Sequence, residues 1–210
     1  MNKIKLSQLL MLVISISLLS MAVALMMRSN IGLGAWDAII ASTAFVTKLK
    51  VGYASIVLNG TAFLLQIIML GRKFKKSQYL QILIILLFGT IINFFYYNII
   101  LIEFDLYISR FIMWLIGSIL SAFAIAILVS LDIVNMPAEG LSEAISIKTG
   151  ISFFKVRFFL DILAVVLSLL VTFVLKGPLN VREATIIGVF VFNFFLKLFV
   201  NILEPKLKNI

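Results

Sequence analysis

Four carboxylates stand in or beside the long apolar stretches of this chain. Asp37 follows a glycine-rich turn, Glu139 and Glu143 follow Pro137, and Asp161 lies inside an apolar run. A carboxylate inside a bilayer is costly, and such residues mark ion pathways, substrate pathways and proton relays. The chemistry that these residues suggest is therefore the binding of an ion, a proton or a polar solute within a membrane.

Other kinds of chemistry are disfavoured by the composition. The 210 residues include no histidine and no cysteine, which excludes His-based zinc or haem ligation, thiolate metal sites, disulfides and a Ser-His-Asp triad. No Walker-type phosphate loop occurs, so the chain alone cannot power transport with ATP. No spacing signature of Asp/Glu or Ser/Lys catalysis is present either. We therefore expect no enzyme, no cofactor and no metal site.

The apolar content predicts a helical membrane protein whose main partner is the lipid bilayer. Hydrophobic residues make up 63% of the chain and charged residues 13%, against about 45–50% and about 25% in soluble domains. A bilayer core needs about 20 apolar residues per helix, and several runs reach that length. The net charge of +9 lies at the ends of apolar runs, as orientation signals do, so we expect no nucleic-acid partner.

An all-α fold with six transmembrane helices and two short helices follows from these runs. The six are predicted at 7–27, 53–71, 79–101, 109–131, 154–176 and 184–203. The short helices are predicted at 35–47 and 137–148; about 12 residues give roughly 18 Å, too short to cross. Basic residues, including the cluster "GRKFKK", concentrate on the side that holds both termini, which places the N- and C-termini in the cytoplasm.

The chain matches itself at an offset of 102 residues (132 minus 30). The matched pairs include Asn30 with Asp132, Asp37 with Glu139, and Asn59 with Asp161. This predicts two repeats, residues 1–104 and 105–210. Because three crossings per repeat is an odd number, the copies would face opposite ways, as in inverted-repeat transporters whose broken helices line a central substrate site.

The two short helices are predicted to begin at sharp turns of different kinds. Gly32 and Gly34 let the backbone bend tightly before the first, and Pro137 suits the first turn of the second. Asp37 and Glu139 then lie in first turns. They either complement the helix dipole, worth about 0.3–1 kcal/mol each, or they line a cavity.

The second short helix carries a polar stripe at helical spacing, made of Glu139, Ser142, Glu143 and Ser146. Two interpretations remain open. The helix lies flat with this stripe in water, or it is re-entrant and the stripe lines an aqueous cavity. In the first short helix Ala41 and Ala44 replace the polar partners of Asp37, so the stripe is weaker there.

Asp161 needs a partner if it is buried, because an unpaired carboxylate facing lipid costs about 2.5–3.5 kcal/mol on insertion scales. Arg157 lies one turn earlier, and Lys197 lies at a similar distance from the cytoplasmic end of the last helix. The structural pair is therefore Asp161 with either Arg157 or Lys197, unless Lys197 extends its ammonium group to the interface. The alternative role for Asp161 is in an ion or proton relay.

Three stretches of the chain resemble the YczE/YyaS/YitT family of bacterial integral membrane proteins, reading "NIGLGAWDAI", "GRKFKK" with "GTIINFF", and "PAEGLSEAISIKTGISF". That family shares an Asn-x-Gly-x-Gly-x-Trp-Asp element and a later Pro-x-Glu element followed by Lys-Thr-Gly. The chain departs from it at Ala35, where proline is commoner. The resemblance implies a multi-pass protein of the bacterial inner membrane and supplies no substrate and no catalytic residue.

Together these features favour a protein that moves or binds a small solute or ion. The candidate lining residues are Asn30, Asp37, Asn59, Glu139, Ser142, Glu143 and Asp161. The alternative is a non-transporting membrane scaffold or a partner subunit of another membrane complex. The oligomeric state does not follow from the sequence.

Overall fold

The computed structural model describes residues 5–102 and 104–207, which form eight α-helices and no strand. The helices are α1 (Leu6–Ser29), α2 (Ala35–Thr47), α3 (Val51–Leu70), α4 (Gln81–Phe94), α5 (Tyr107–Leu131), α6 (Pro137–Thr149), α7 (Phe153–Val174) and α8 (Glu183–Leu207). Six of these segments are long and apolar enough to cross a bilayer, and α2 and α6 have 13 residues each. The predicted fold class of six long helices and two short ones is confirmed.

The predicted helix bounds differ from the observed ones mainly in the third long helix. The span predicted at 79–101 is a composite, in which a 3-10 turn at Lys76–Leu80 leads into α4 and a π-helical turn at Phe95–Ile99 follows it. The second short helix ends at Thr149, one residue later than predicted. Both differences concern helix ends, where hydropathy alone fixes the boundary least well.

The turns before the short helices are made by equivalent residues. Asn30 (φ 52°) and Asp132 (φ 47°) end α1 and α5 in the left-handed conformation, which Asn and Asp adopt more readily than other non-glycine residues. Gly32 has φ 127° and requires glycine. Gly34 does not, because its φ is −58° and it is an ordinary N-cap. The expectation that both glycines serve the bend is therefore correct for Gly32 only.

The helices pack in a pattern that relates the first four to the last four. α1 packs against α5 at the centre, α1 against α4, and α5 against α8; α2 contacts α3 and α7, and α6 contacts α7 and α3. Exchanging α1–α4 with α5–α8 maps each of these contacts onto another. The exception is α3 with α4, which pack closely, whereas α7 and α8 make no comparable contact.

Two glycines explain the close approach of α3 and α4. A Cβ atom on Gly52 would lie 1.8 Å from the carbonyl oxygen of Gly89, so no larger residue fits. The Gly52 N–H also donates to Asn93 Oδ1 at 2.7 Å. The residue that matches Gly52 at the 102-residue offset is Phe154, which is 83% exposed. The second half therefore lacks the small residues that such a contact requires.

Candidate functional site

Asp37 and Glu139 lie in the first turns of α2 and α6, where both residues are half-buried. The Trp36 indole donates to Asn59 Oδ1, eight residues after the start of α3, which is roughly 12 Å along that helix at 1.5 Å per residue. α2 therefore folds back along the first half of α3 and begins deep in the bundle. α6 folds back along α7 in the same way, because Glu139 reaches Arg157, four residues after the start of α7.

These turns assemble a charged group, which we call the acidic cluster: Asp37, Glu139, Arg157 and Asp161. The Arg157 Nη1 lies 3.0 Å from Glu139 Oε1, and its Nε lies 3.1 Å from Asp161 Oδ2. Asp37 is close enough to interact electrostatically with both Arg157 and Glu139. Two carboxylates thus contact one guanidinium and a third lies within electrostatic range of it, so the cluster carries excess negative charge when all of its groups are ionised.

Asp161 forms its ion pair with Arg157 and not with Lys197. Arg157 is one helical turn away on the same face of α7, which is the favourable i, i+4 spacing. Lys197 lies on α8, and α8 packs on α5 without a comparable contact to α7. Of the two partners that the sequence left open, the Lys197 alternative is wrong, because the helices that would bring it to Asp161 are not neighbours.

Part of the acidic cluster has unsatisfied hydrogen-bonding capacity. Asp161 Oδ1 is buried and accepts no hydrogen bond in the part of the chain that the structure describes. Among the same residues, Asp37 has no ion partner within 4.0 Å. Burial raises the pKa of Asp37 to about 6; the charge of Arg157 acts in the opposite direction and that of Glu139 raises the pKa further. A proton or a cation would satisfy these groups.

The position in the first half that matches Asp161 carries no charge. Asn59, which matches Asp161, donates to Ser55 Oγ at 3.0 Å and accepts from Trp36 at 2.9 Å. Asn59 is buried, and both the nitrogen and the oxygen of its side-chain amide make a hydrogen bond. The structure therefore places Asn59 as a link between α2 and α3 and not beside the carboxylates.

The predicted polar stripe of α6 divides between different surroundings. Ser142 is fully buried and its hydroxyl donates to the Ala138 carbonyl of its own helix. Glu143 accepts from Asn135 and lies 4.0 Å from Lys75 Nζ, away from Arg157. The stripe does not act as one surface, because α3 and α7 both pack on α6. Only its first member, Glu139, belongs to the acidic cluster.

Sequence reasoning missed an amide network that holds the start of α6. The side-chain amides of Gln66 and Gln81 donate to each other's oxygens, both at 3.0 Å, and both residues are buried. Gln66 also donates to the Pro137 carbonyl at 3.1 Å, and Gln81 to Gln78. A partial signal for the network was Gln66, which stands alone in an apolar run, since a buried amide must find partners.

A second link missed from the sequence fixes α2 to α7. The hydroxyls of Ser42 and Ser168 are 2.8 Å apart, and the Asn180 amide donates to Ser42 Oγ at 3.0 Å. Ser168 matches Gln66 at the 102-residue offset (168 minus 66). A polar residue at this level of each half therefore contacts the short helix of the other half.

Asn30 lies apart from the acidic cluster, on a cavity at the end of the bundle that the sequence predicts to be external. This outer cavity, of about 610 Å³, is bordered by the end of α1, by α2 and by the segments around residues 104 and 180. Ala41 and Ala44 of α2 line it, and they share a helical face with Asp37 at i, i+4 and i+7 spacing. This face of α2 leads from the cavity toward the acidic cluster.

No curated protein matches this chain, and neither does any solved structure. One family model matches residues 6–201, and its description is that of a family of unknown function, DUF6198. The matched range includes all of α1 to α7 and most of α8. The chain therefore belongs to the DUF6198 family.

Proposed function

We propose that this protein is a small-solute transporter of the membrane, in which the acidic cluster binds the coupling proton or cation. The observation that carries the proposal is the meeting of two helix N-terminal turns, one from each half of the chain, around Arg157: Glu139 and Asp161 form ion pairs with it, and Asp37 lies within electrostatic range. Charged groups between transmembrane segments are expensive, and they mark ion and substrate pathways. Broken or short helices that meet near the middle of a bundle form the sites of many secondary transporters.

The proposal includes two inverted repeats, and the helix bounds support it. α2 and α6 begin at Ala35 and Pro137, α3 and α7 at Val51 and Phe153, and α4 and α8 at Gln81 and Glu183. Each pair is separated by 102 residues (137 minus 35, 153 minus 51, 183 minus 81). Because each half contains three long helices, equivalent helices run in opposite directions through the bundle.

The charges of the acidic cluster suggest how coupling works. With Asp37 ionised, the excess negative charge attracts a proton or a monovalent cation. When Asp37 is protonated, repulsion between Asp37 and Glu139 is removed, and Arg157 is left to Glu139 and Asp161. The side of α2 that carries Asp37 also borders the outer cavity. Loading of the cluster therefore alters the electrostatic restraint on the helix that separates it from the cavity.

Transport across a reconstituted membrane tests this function. Proteoliposomes are challenged with separate panels of amino acids, sugars, nucleosides, organic acids and amines, while internal pH and current are recorded. We expect at least one solute class to produce a signal that is lost in Asp161→Asn and shifted in pH dependence in Asp37→Asn. Asp105→Asn is the control, because that carboxylate is exposed on a loop and lies outside the cluster.

The alternative function, a membrane scaffold or partner subunit, is favoured by one observation. α8 packs mainly against α5, and Ala184 is its one buried residue among those described. Its large apolar side chains, such as Phe190 and Phe194, are open to lipid or to another protein. This alternative is favoured if proteoliposomes that contain the folded protein show no solute-dependent signal with any panel. A membrane protein that copurifies with the chain through contacts with α8 would support it as well.

A further inference from the structure

The outer cavity has the size and lining of a small-molecule site. Its volume of about 610 Å³ lies within the range of about 300–1,000 Å³ that is usual for ligand pockets. Apolar side chains, among them Met26, Leu33, Phe45 and Phe104, form part of its wall, although its accessible surface as a whole is more polar than apolar. The wall therefore offers contacts both to a polar group and to a short apolar part of a ligand.

The charged residues in the described lining are two arginines, Arg28 and Arg110, and no carboxylate lines it there. Within the described residues neither guanidinium has an ion partner within 4.0 Å. This differs from the other partly buried arginines, Arg157 and Arg182, which both contact carboxylates. Among the described residues, the outer cavity therefore combines two arginines that lack an ion partner with several apolar side chains.

Arg28 is held in place and still has unused donor capacity. Its Nη2 donates to the Tyr96 carbonyl at 2.6 Å, and its guanidinium carbon lies 4.3 Å from the centre of the Tyr96 ring. Its Nε is buried and has no hydrogen-bond partner in the part of the chain described. Arg110 is oriented similarly, because its Nε donates to the Phe104 carbonyl at 2.6 Å. Oriented guanidinium groups of this kind match the oxygens of carboxylates and phosphates.

Neighbouring residues add to the positive potential of the cavity. Lys50 Nζ lies 5.2 Å from the centre of the Tyr97 ring, and Tyr97 lines the cavity. Arg182 also lies close by, since it donates to the carbonyl of the lining residue Asn30 at 2.7 Å, but its charge is balanced by Glu183. A cleft lined by charges of one sign concentrates ligands of the opposite charge.

We propose that the outer cavity binds an organic anion, with a phosphate or carboxylate group at Arg28 and Arg110 and an apolar body against the remaining wall. The ligand is either an anionic lipid of the surrounding membrane or a free organic anion. Binding does not depend on the proposed transport function, because the acidic cluster contributes no residue to this cavity.

Binding of hexyl phosphate tests the proposal directly. The purified protein is placed in phosphatidylcholine nanodiscs and titrated with hexyl phosphate, with inorganic phosphate and with hexyltrimethylammonium, which has the same tail and the opposite charge. We expect saturable binding of hexyl phosphate, at least tenfold weaker binding of inorganic phosphate, and no binding of the ammonium compound. Equal binding of both hexyl compounds overturns the proposal.

Variants assign the binding to the cavity. Arg110→Gln and Arg28→Gln should each weaken hexyl phosphate binding at least tenfold, and Arg28→Lys should restore part of it. Arg72→Gln is the control, because Arg72 is exposed at the other end of the bundle. If Arg28→Gln does not fold, Arg110→Gln alone decides. Unchanged affinity in a folded Arg110→Gln protein contradicts the proposal.

The two sources of the anion are distinguished by competition. Phosphatidylglycerol added to the nanodiscs should displace hexyl phosphate if the native ligand is an anionic lipid. Native mass spectrometry should then show a retained anionic lipid that Arg110→Gln loses. If phosphatidylglycerol has no effect while soluble organic anions displace hexyl phosphate, the native ligand is a free anion.

Discussion

The two short helices are anchored at equivalent positions by different chemistry. α2 is anchored through the neutral pair Ser55 and Asn59, in which the Asn59 amide also holds Trp36. α6 is anchored through the pair Arg157 and Asp161, in which the guanidinium also holds Glu139. Both pairs have i, i+4 spacing and begin at the second turn of a long helix. The same framework thus supports a satisfied neutral site in one half and an acidic one in the other.

A second pair of equivalent positions shows no such difference. Gln66 donates to the Pro137 carbonyl of α6, and Ser168 donates to the Ala38 carbonyl of α2, so each links a long helix to the short helix of the other half. Both links are neutral and hydrogen-bonded. The halves therefore share these links to the short helices and differ in charge at the level of Arg157. This is the level at which we place the function.

Removing the central arginine should have the largest effect. Breaking a buried ion pair by removing one partner costs about 3–5 kcal/mol. Because the Arg157 side chain is 26% exposed and those of Glu139 and Asp161 are 41% and 36% exposed, we expect Arg157→Met to lower the free energy of unfolding by about 2–3 kcal/mol. The measurement is chemical denaturation in detergent, followed by tryptophan fluorescence.

Neutralising the carboxylates in the same background gives the control. Glu139→Gln with Asp161→Asn should recover part of the stability that Arg157→Met loses, because the uncompensated charges are then absent. Ser55→Ala, at the equivalent position of the first half, should cost about 1 kcal/mol, the value of an ordinary hydrogen bond. Equal losses in Arg157→Met and Ser55→Ala would remove the distinction between the two halves.

The helices and their turns could be predicted from the sequence because they depend on local properties. Apolar length located six long helices, and the turn residues located two short ones, including the start of α6 at Pro137. Asn30 and Asp132 stop their helices through their own left-handed conformation. The resemblance to the YczE/YyaS/YitT family stays a prediction, since the family model that matches is DUF6198.

The partners within the site could not all be predicted, because they depend on which helices are neighbours. The sequence left both Arg157 and Lys197 open as partners for Asp161, and the packing of α8 on α5, away from α7, decides for Arg157. Gln66 is an isolated amide in an apolar run and Gln81 begins one, but nothing local shows that they face each other. Spacing along one helix is a local property, whereas contact between helices is not.

The neutral anchor should be the next most sensitive point. Asn59→Leu removes the acceptor of the Trp36 indole and leaves that donor without its partner, which costs about 1–3 kcal/mol. Asn59→Leu combined with Trp36→Phe should cost less than the sum of the single changes, because the donor and the acceptor are then absent together. Strict additivity in this double-mutant cycle would show that the Trp36–Asn59 hydrogen bond does not hold α2.

The smallest effect concerns the proton on Asp37, and it reports on the charged side of the comparison. Since burial raises the pKa of Asp37 to about 6 from 3.8, the folded state binds this proton more tightly than the unfolded state does. The resulting stabilisation is present at low pH and is lost as the pH rises from about 4 through about 6. Partial exposure of Asp37 reduces the effect, so we expect a loss of about 1 kcal/mol.

Asp37→Asn should flatten the dependence of melting temperature on pH in this window, whereas Asp105→Asn should leave it unchanged. The absence of histidine helps the measurement, because no imidazole titrates between pH 5 and 7. A wild-type protein whose stability rises with pH across this window would show that Arg157 dominates the environment of Asp37 and that burial does not.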